Sequence, residues 1–260
     1  MDVEKLEKVC RILGKVHSIL FITGAGISAD SGLPTYRGIG GLYDQKHTDD
    51  GIPIEEALSG AMLAARPEIT WKYVYQIEQS CRNAKYNRGH KVIAEMEQHF
   101  SRVWVLTQNI DGFHHQAGSK NIIDIHGDMH QLMCTRCGDV RHVADYCGLA
   151  IPPLCHACGA VIRPQVVFFG EMLPEEKYWQ LAKEIEKGFD VIFSIGTTSV
   201  FPYIAGPVLE AKRRGWPVIE INPANTEVSH LADIKIAAGA AKTLDVIWTQ
   251  FQSPSKSFSS

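Results

Sequence analysis

The chain alternates between short, wholly apolar runs and longer stretches whose apolar side chains recur every three or four positions. His17–Thr23 (HSILFIT) is the first short run and ends in glycines. Runs of the same kind follow at Val103–Thr107, Asp190–Gly196 and Pro217–Asn222, with a shorter one at Ile122–Ile125. A strand that is apolar on both sides belongs in a sheet covered on both faces. Helical spacing occupies Val3–Leu13, Arg88–Phe100, Pro174–Lys187 and Ala205–Arg214. Strand alternating with helix predicts an α/β fold with a Rossmann-like parallel sheet.

Two stretches break this rhythm. Gly38–Ser59 is glycine-rich and irregular and passes into helical pieces up to about Cys81. The segment from about Met129 to Pro164 carries two Cys-x-x-Cys pairs and no long helical pattern. Both are expected to be insertions that build a smaller domain. The Rossmann-like domain is then discontinuous, over 1–37, 83–128 and 165–252. The small domain takes 38–82 as a helical module and 129–164 as a zinc module, and 253–260 (SPSKSFSS) is expected to be a disordered tail.

Charge and composition act by exclusion. With 26 basic and 29 acidic residues the formal charge is -3, so no nucleic-acid partner is expected. The polar start Met1-Asp-Val-Glu-Lys has no signal-peptide core, and no apolar run approaches the length of a membrane span. A cytoplasmic location without a membrane partner is expected.

The candidate chemistry clusters after the strands. Gly24-x-Gly26-x-x-Ala29 follows the first strand and fits the turn that seats a pyrophosphate on a helix N-terminus. Alone this is unspecific, because many strand-to-helix turns carry two glycines. The acidic residue that should follow about 20 positions later falls near Asp44, inside an irregular loop. Glu220-Ile-Asn222, at a later strand end, is the better candidate to hold the adenosine. The loop Asp30–Gly38 places Tyr36 and Arg37 where they can cover a planar ring and meet a diphosphate. Thr107-Gln108-Asn109-Ile110-Asp111 puts polar groups at the carboxyl edge of the sheet, and Ile122–Ile125 delivers His126-Gly127 there. An imidazole in a polar cleft suits a general base. His114, His115 and His130 are its rivals.

The chain has seven cysteines. Cys134-x-x-Cys137 and Cys155-x-x-Cys158, 17 residues apart, have the spacing of a closed four-thiolate zinc site. Such a shell leaves no place for water, so the metal is structural. His142 and His156 lie close in sequence but are not needed, and Cys10, Cys81 and Cys147 are unpaired.

GAGISADSGLPTYRG, TQNID, the His126-Gly127 pair and the paired cysteines together resemble the sirtuin family of NAD-dependent protein deacylases, at a length typical of its bacterial and archaeal members. The likeness continues through Arg163–Glu171, Gly196-Thr-Thr198 and Ile221-Asn222. It implies that NAD is consumed as a co-substrate: the acyl group of a protein lysine moves to ADP-ribose, and nicotinamide leaves as a product that also inhibits. The implied base is His126, with Asn109 as its catalytic neighbour. Gly24, Ala25, Gly26, Asp30, Tyr36, Arg37, Gln108, Asn109, Ile110, Asp111, Gly196, Thr197, Thr198, Asn222, Pro223, Ala224 and Ala241 are the implied NAD contacts. Val167, Phe169, Gly170 and Glu171 would flank the acyl-lysine, partly by pairing with the substrate as an added strand.

The chain departs from the family pattern in two places. Thr198 stands for a serine, and Phe201-Pro202-Tyr203 stands where valine-tyrosine-proline is usual. Family members that prefer acidic acyl groups carry Tyr-x-x-Arg before the second main strand. Here the count from Tyr73 reaches Gln76 and that from Tyr75 reaches Glu78, so neutral acyl groups are expected, with Glu78 repelling a succinyl group. An ADP-ribosyltransferase on the same scaffold is the alternative. A non-catalytic NAD sensor is disfavoured by the presence of Asn109 and His126, and a zinc-dependent dehydrogenase by the closed cysteine site.

Overall fold

In the computed structural model, residues 2–35 and 48–253 are described. The strands are β1 (Ser18–Thr23), β2 (Arg102–Thr107), β3 (Ile122–Asp124), β4 (Gly127–Cys134), β5 (Val140–His142), β6 (Ile162–Val166), β7 (Val191–Ile195), β8 (Val218–Ile221) and β9 (Ile234–Ile236). Six of them form one sheet in the order β3-β2-β1-β7-β8-β9, and every pairing in it is parallel. The expected α/β sheet is therefore present. The chain leaves β1 toward β2 on one side and later returns to β7 on the other. Open sheets of this kind bind ligands where the strand order reverses, in the crevice beyond the carboxyl ends of β1 and β7.

Each buried strand feeds two cores because its side chains alternate between faces. In β1, Ile19 and Phe21 pack with Leu6, Val9 and Leu13 of the first helix and with the helices Arg88–His99 and Ala240–Gln252. Leu20 and Ile22 face the other way, onto Leu181, Ile204 and Val208 from the helices Glu175–Lys187 and Pro202–Arg214.

A third core lies away from this sheet. Leu63, Trp71, Tyr73 and Val74 pack on Met129, Leu132, Tyr146 and Ile162, joining the helix Pro67–Cys81 to the antiparallel sheet β5-β4-β6. Its buried polar atoms are satisfied from within: Trp71 Nε1 donates to the Ile162 carbonyl at 2.8 Å, and the Tyr146 hydroxyl to the Met129 carbonyl at 2.6 Å. Among the described residues, no helix is long and apolar enough to cross a membrane.

Candidate active site

The turn after β1 meets the turn after β7 at contact distance. A Cβ placed on Gly26 would lie 2.6 Å from the Gly196 Cα, and one on Gly24 would lie 2.8 Å from the Gly196 carbonyl oxygen. Gly26 N–H donates to that carbonyl at 2.8 Å, and Gly196 itself has φ +58. The glycines are thus required by backbone packing. Beside them opens a cleft lined by Ala25, Ser28, Leu33, Pro34, Asn109, Ile110 and Asp111.

The polar groups expected at this edge are tied into a network. Gln108 Nε2 donates to Thr197 Oγ1 at 2.7 Å, and Asn222 Nδ2 to the Thr197 carbonyl at 3.0 Å. Ser199 N–H also donates to Thr197 Oγ1, while Ser199 sits at φ 56, an uncommon left-handed conformation for a non-glycine residue. Thr198 is exposed at the tip of this turn. Asn109 Nδ2 reaches the Gly24 carbonyl and Ser28 Oγ at 3.1 and 3.2 Å, and Ser28 Oγ donates to Asp111 Oδ2 at 2.7 Å. Burial pushes the Asp111 carboxyl up, against its bonds from Phe113 N–H and Ser28. Asp30 accepts from Ala241 N–H at 2.8 Å, and Ala224 N–H donates to Asn222 Oδ1 at 3.1 Å, with Pro223 exposed between them. Tyr36, Arg37 and Asp44 lie outside the described residues.

His126 stands half-buried at the end of this row. Its Nδ1 is 3.0 Å from the Gln108 carbonyl oxygen, which only accepts, so Nδ1 carries the proton and Nε2 presents a lone pair. Burial lowers its pKa, opposed by the Gln108 bond, so the ring is neutral at pH 7. The adjacent glycine is obligatory: at φ +88, a Cβ on Gly127 would lie 1.8 Å from the Gln165 carbonyl oxygen. Of the rivals, His114 is fully enclosed with Nε2 on Thr23 Oγ1 at 3.0 Å. His130 is held by Asp128 at 2.9 Å, and His115 lies 3.8 Å from Asp124.

Val167 N–H donates to the His126 carbonyl at 2.9 Å, which fixes the Val167–Glu171 stretch beside the histidine. Phe169 is paired through both backbone groups to Leu58 and Gly60, and Gly170 turns the chain at φ +79. The Glu171 carboxylate is engaged internally, accepting from Arg163 at 2.6 and 2.8 Å and from Phe168 N–H at 2.9 Å.

The four paired cysteines converge. Their sulfurs all lie within 4.8 Å of one another, with Cys134–Cys158 at 3.4 Å and Cys137–Cys155 at 3.7 Å. A disulfide needs about 2.0 Å, whereas a tetrahedron of thiolates about 2.3 Å from a zinc ion has edges of about 3.8 Å. The set fits one structural zinc, and neither His142 nor His156 belongs to it.

The Sir2 family model matches residues 24–202. The chain is 48% identical over 235 residues to NAD-dependent protein deacylase 2 of Pseudomonas aeruginosa, covering 89% of this chain and 91% of that one. It is 35% identical to the NAD-dependent protein deacylase of Aquifex aeolicus, covering 91% and 98%. Among solved structures, a Sir2 homologue in complex with NAD is 34% identical with a TM-score of 0.83, covering 96% of this chain and 94% of that one. The chain belongs to the Sir2 family.

Two details of this Sir2 chain correct the sequence reading. Glu220 was expected to help hold adenosine, yet it is 1% exposed and its carboxylate is occupied by Ser229 and Thr226 hydroxyls and by Lys235. Glu78 was expected to repel an acidic acyl group, yet it is 2% exposed and neutralised by Arg82, whose Nε lies at 3.0 Å. That guanidinium also lies over the Tyr75 ring and donates to Cys147 Sγ at 2.9 Å. Lys72, on the same helix as Tyr73 and Tyr75, bonds Asp50 at 2.8 Å.

Three roles had no sequence signal of their own. Ser28 bridges Asn109 and Asp111, Arg163 braces Glu171, and the Tyr203 hydroxyl lies 2.7 Å from His126 Nε2. The first two sit inside motifs quoted for other residues. The third lies where the chain leaves the family pattern.

Proposed function

We propose that this Sir2 protein is an NAD-dependent protein lysine deacylase in which His126 is the general base. The observation that carries the assignment is the histidine itself: neutral, oriented through Nδ1 by Gln108, and bonded through its carbonyl to the stretch proposed to hold the acyl-lysine. The names of the relatives support the same activity. A Sir2 structure with a deacetylated peptide and 3′-O-acetyl-ADP-ribose, 26% identical at a TM-score of 0.85, supports the direction of acyl transfer.

In this reading the closely packed Gly24, Gly26 and Gly196 let the backbone approach the diphosphate, with Ala25, Asp30, Tyr36, Arg37, Thr197 and Thr198 around it. Asn222, Pro223, Ala224 and Ala241 take the adenosine end, and Gln108, Asn109, Ile110 and Asp111 the nicotinamide end. His126 accepts the proton of a ribose hydroxyl after nicotinamide has left. The chain's main contribution before that step is to align a weakly nucleophilic amide oxygen and exclude water. Acylated lysine proteins are the partners, with Val167, Phe169, Gly170 and Glu171 flanking the side chain. Because Phe169 is already paired to residues 58–60, strand addition by the peptide rests on its neighbours. Nicotinamide is released and inhibits by returning to its own subsite. The proposed setting is the cytoplasm, where a four-thiol metal site stays reduced.

The acyl preference follows from committed charges. A succinyl carboxylate would need a cation, and Arg82 is available only by abandoning buried Glu78. Leaving such a charge unpaired costs about 3–5 kcal/mol, while an acetyl group incurs no such penalty. Matched peptides are therefore expected to show kcat/KM at least about tenfold higher for acetyl-lysine than for succinyl-lysine. Equal values, or a succinyl preference, would refute the reading of this pocket.

A further inference from the structure

The Nε2 lone pair of His126, the feature that makes it a base, is covered. The Tyr203 hydroxyl lies 2.7 Å away, and because Nδ1 already carries the ring proton, the tyrosine is the donor. Tyr203 is held in place by its neighbours. Pro202 opens the helix Pro202–Arg214, and the Phe201 ring stacks on the tyrosine at 5.4 Å and 11° while meeting His126 edge-on. Phe201-Pro202-Tyr203 is also the stretch in which the sequence departs from the usual family order.

We propose that Tyr203 is a second proton-transfer group of the acyl-transfer step, standing between the ribose hydroxyl and His126. The proposal rests on the deacylase reading above. The ribose O–H bond breaks and its proton passes to the Tyr203 oxygen. The tyrosine O–H breaks in concert and its proton passes to His126 Nε2, giving an imidazolium and restoring a neutral phenol. The electron pair released on the sugar oxygen forms the bond to the acyl carbon of the imidate. The C=N π pair of the imidate moves onto the lysine nitrogen, which later leaves as the free amine. Burial raises the Tyr203 pKa to about 12, so the phenol keeps a proton to hand on at pH 7.

The test uses the full chain loaded with zinc, an acetyl-lysine peptide and NAD. Tyr203→Phe is expected to slow peptide deacetylation at saturating substrates by about tenfold to a hundredfold, the range of a partial loss of acid–base assistance. Exchange of labelled nicotinamide into NAD, which reports only the earlier step, is expected to change less than about twofold. The double variant His126→Ala with Tyr203→Phe is expected to be no slower than His126→Ala alone, because the two act as one unit. Fluorinated tyrosines at position 203 keep the ring while varying the acidity of the hydroxyl, and are expected to change the deacetylation rate and not the exchange rate.

Deacetylation by Tyr203→Phe at or above the native rate would overturn the proposal, since the hydroxyl would then only cover the base in the free protein. An equal loss of exchange and deacetylation at native melting temperature, or fluorinated proteins that all react alike, would overturn it as well. A native protein without NAD-dependent deacetylation would refute the underlying reading instead, and is distinguished by that control.

Discussion

His126→Ala is expected to lower lysine deacetylation by about 10² to 10⁴, the usual cost of losing one general base, with NAD affinity nearly unchanged. The affinity survives because the glycine turns and the Gln108–Thr197–Asn222 network stand without the imidazole. The same residue is expected to set the acid limb of the pH profile. Burial lowers its pKa below the ordinary 6.5, so the neutral form predominates at pH 7. The plot of kcat/KM against pH should be flat there and bend downward only below pH 6.5. The residual activity of the alanine variant should lack that bend. Near-native turnover by a clean variant, or an unaltered acid limb, would contradict the assignment.

Cys134→Ser or Cys158→Ser is expected to yield insoluble protein or a melting temperature lowered by tens of degrees. A structural zinc bound by four thiolates contributes about 10–16 kcal/mol in small zinc-finger peptides at pH 7, comparable to the whole stability of a domain. Cys134 and Cys155 are also part of the third core, with Trp71 and Tyr146, so losing the metal loosens apolar packing as well as the two knuckles. Thermal denaturation with metal content measured on the same samples checks this. A soluble, metal-free serine variant melting like the native protein would refute the structural zinc.

The central strands were legible because a strand buried on both faces is a continuous apolar run, as in SILFIT and VIFSI. The four cysteines were legible because thiolate geometry imposes a short, regular spacing. β9 has only three residues, Ile234–Ile236, too few to declare a period, and it completes the sheet through its pairing with β8. The helix Ala240–Gln252 was not anticipated either: its start at Gly239 has no side-chain cap, and contact with the helix Arg88–His99 and the first helix stabilises it. Glu220 shows the limit at the site. Position in sequence put a carboxylate at a strand end, but strand pleat decides which face it takes, and here Thr226, Ser229 and Lys235 wait on that face. Tyr203 was visible only as a departure from a pattern. Its approach to His126 depends on how the helix Pro202–Arg214 docks on the sheet, which no local spacing encodes.

The most direct test of the central claim is the mass of the products formed from an acetyl-lysine peptide, NAD and the native protein. The account predicts a peptide lighter by one acetyl group, with equimolar nicotinamide and O-acetyl-ADP-ribose, and no product when NAD is omitted. A peptide or protein heavier by one ADP-ribose, with its acetyl group retained, would contradict the account and make the chain an ADP-ribosyltransferase.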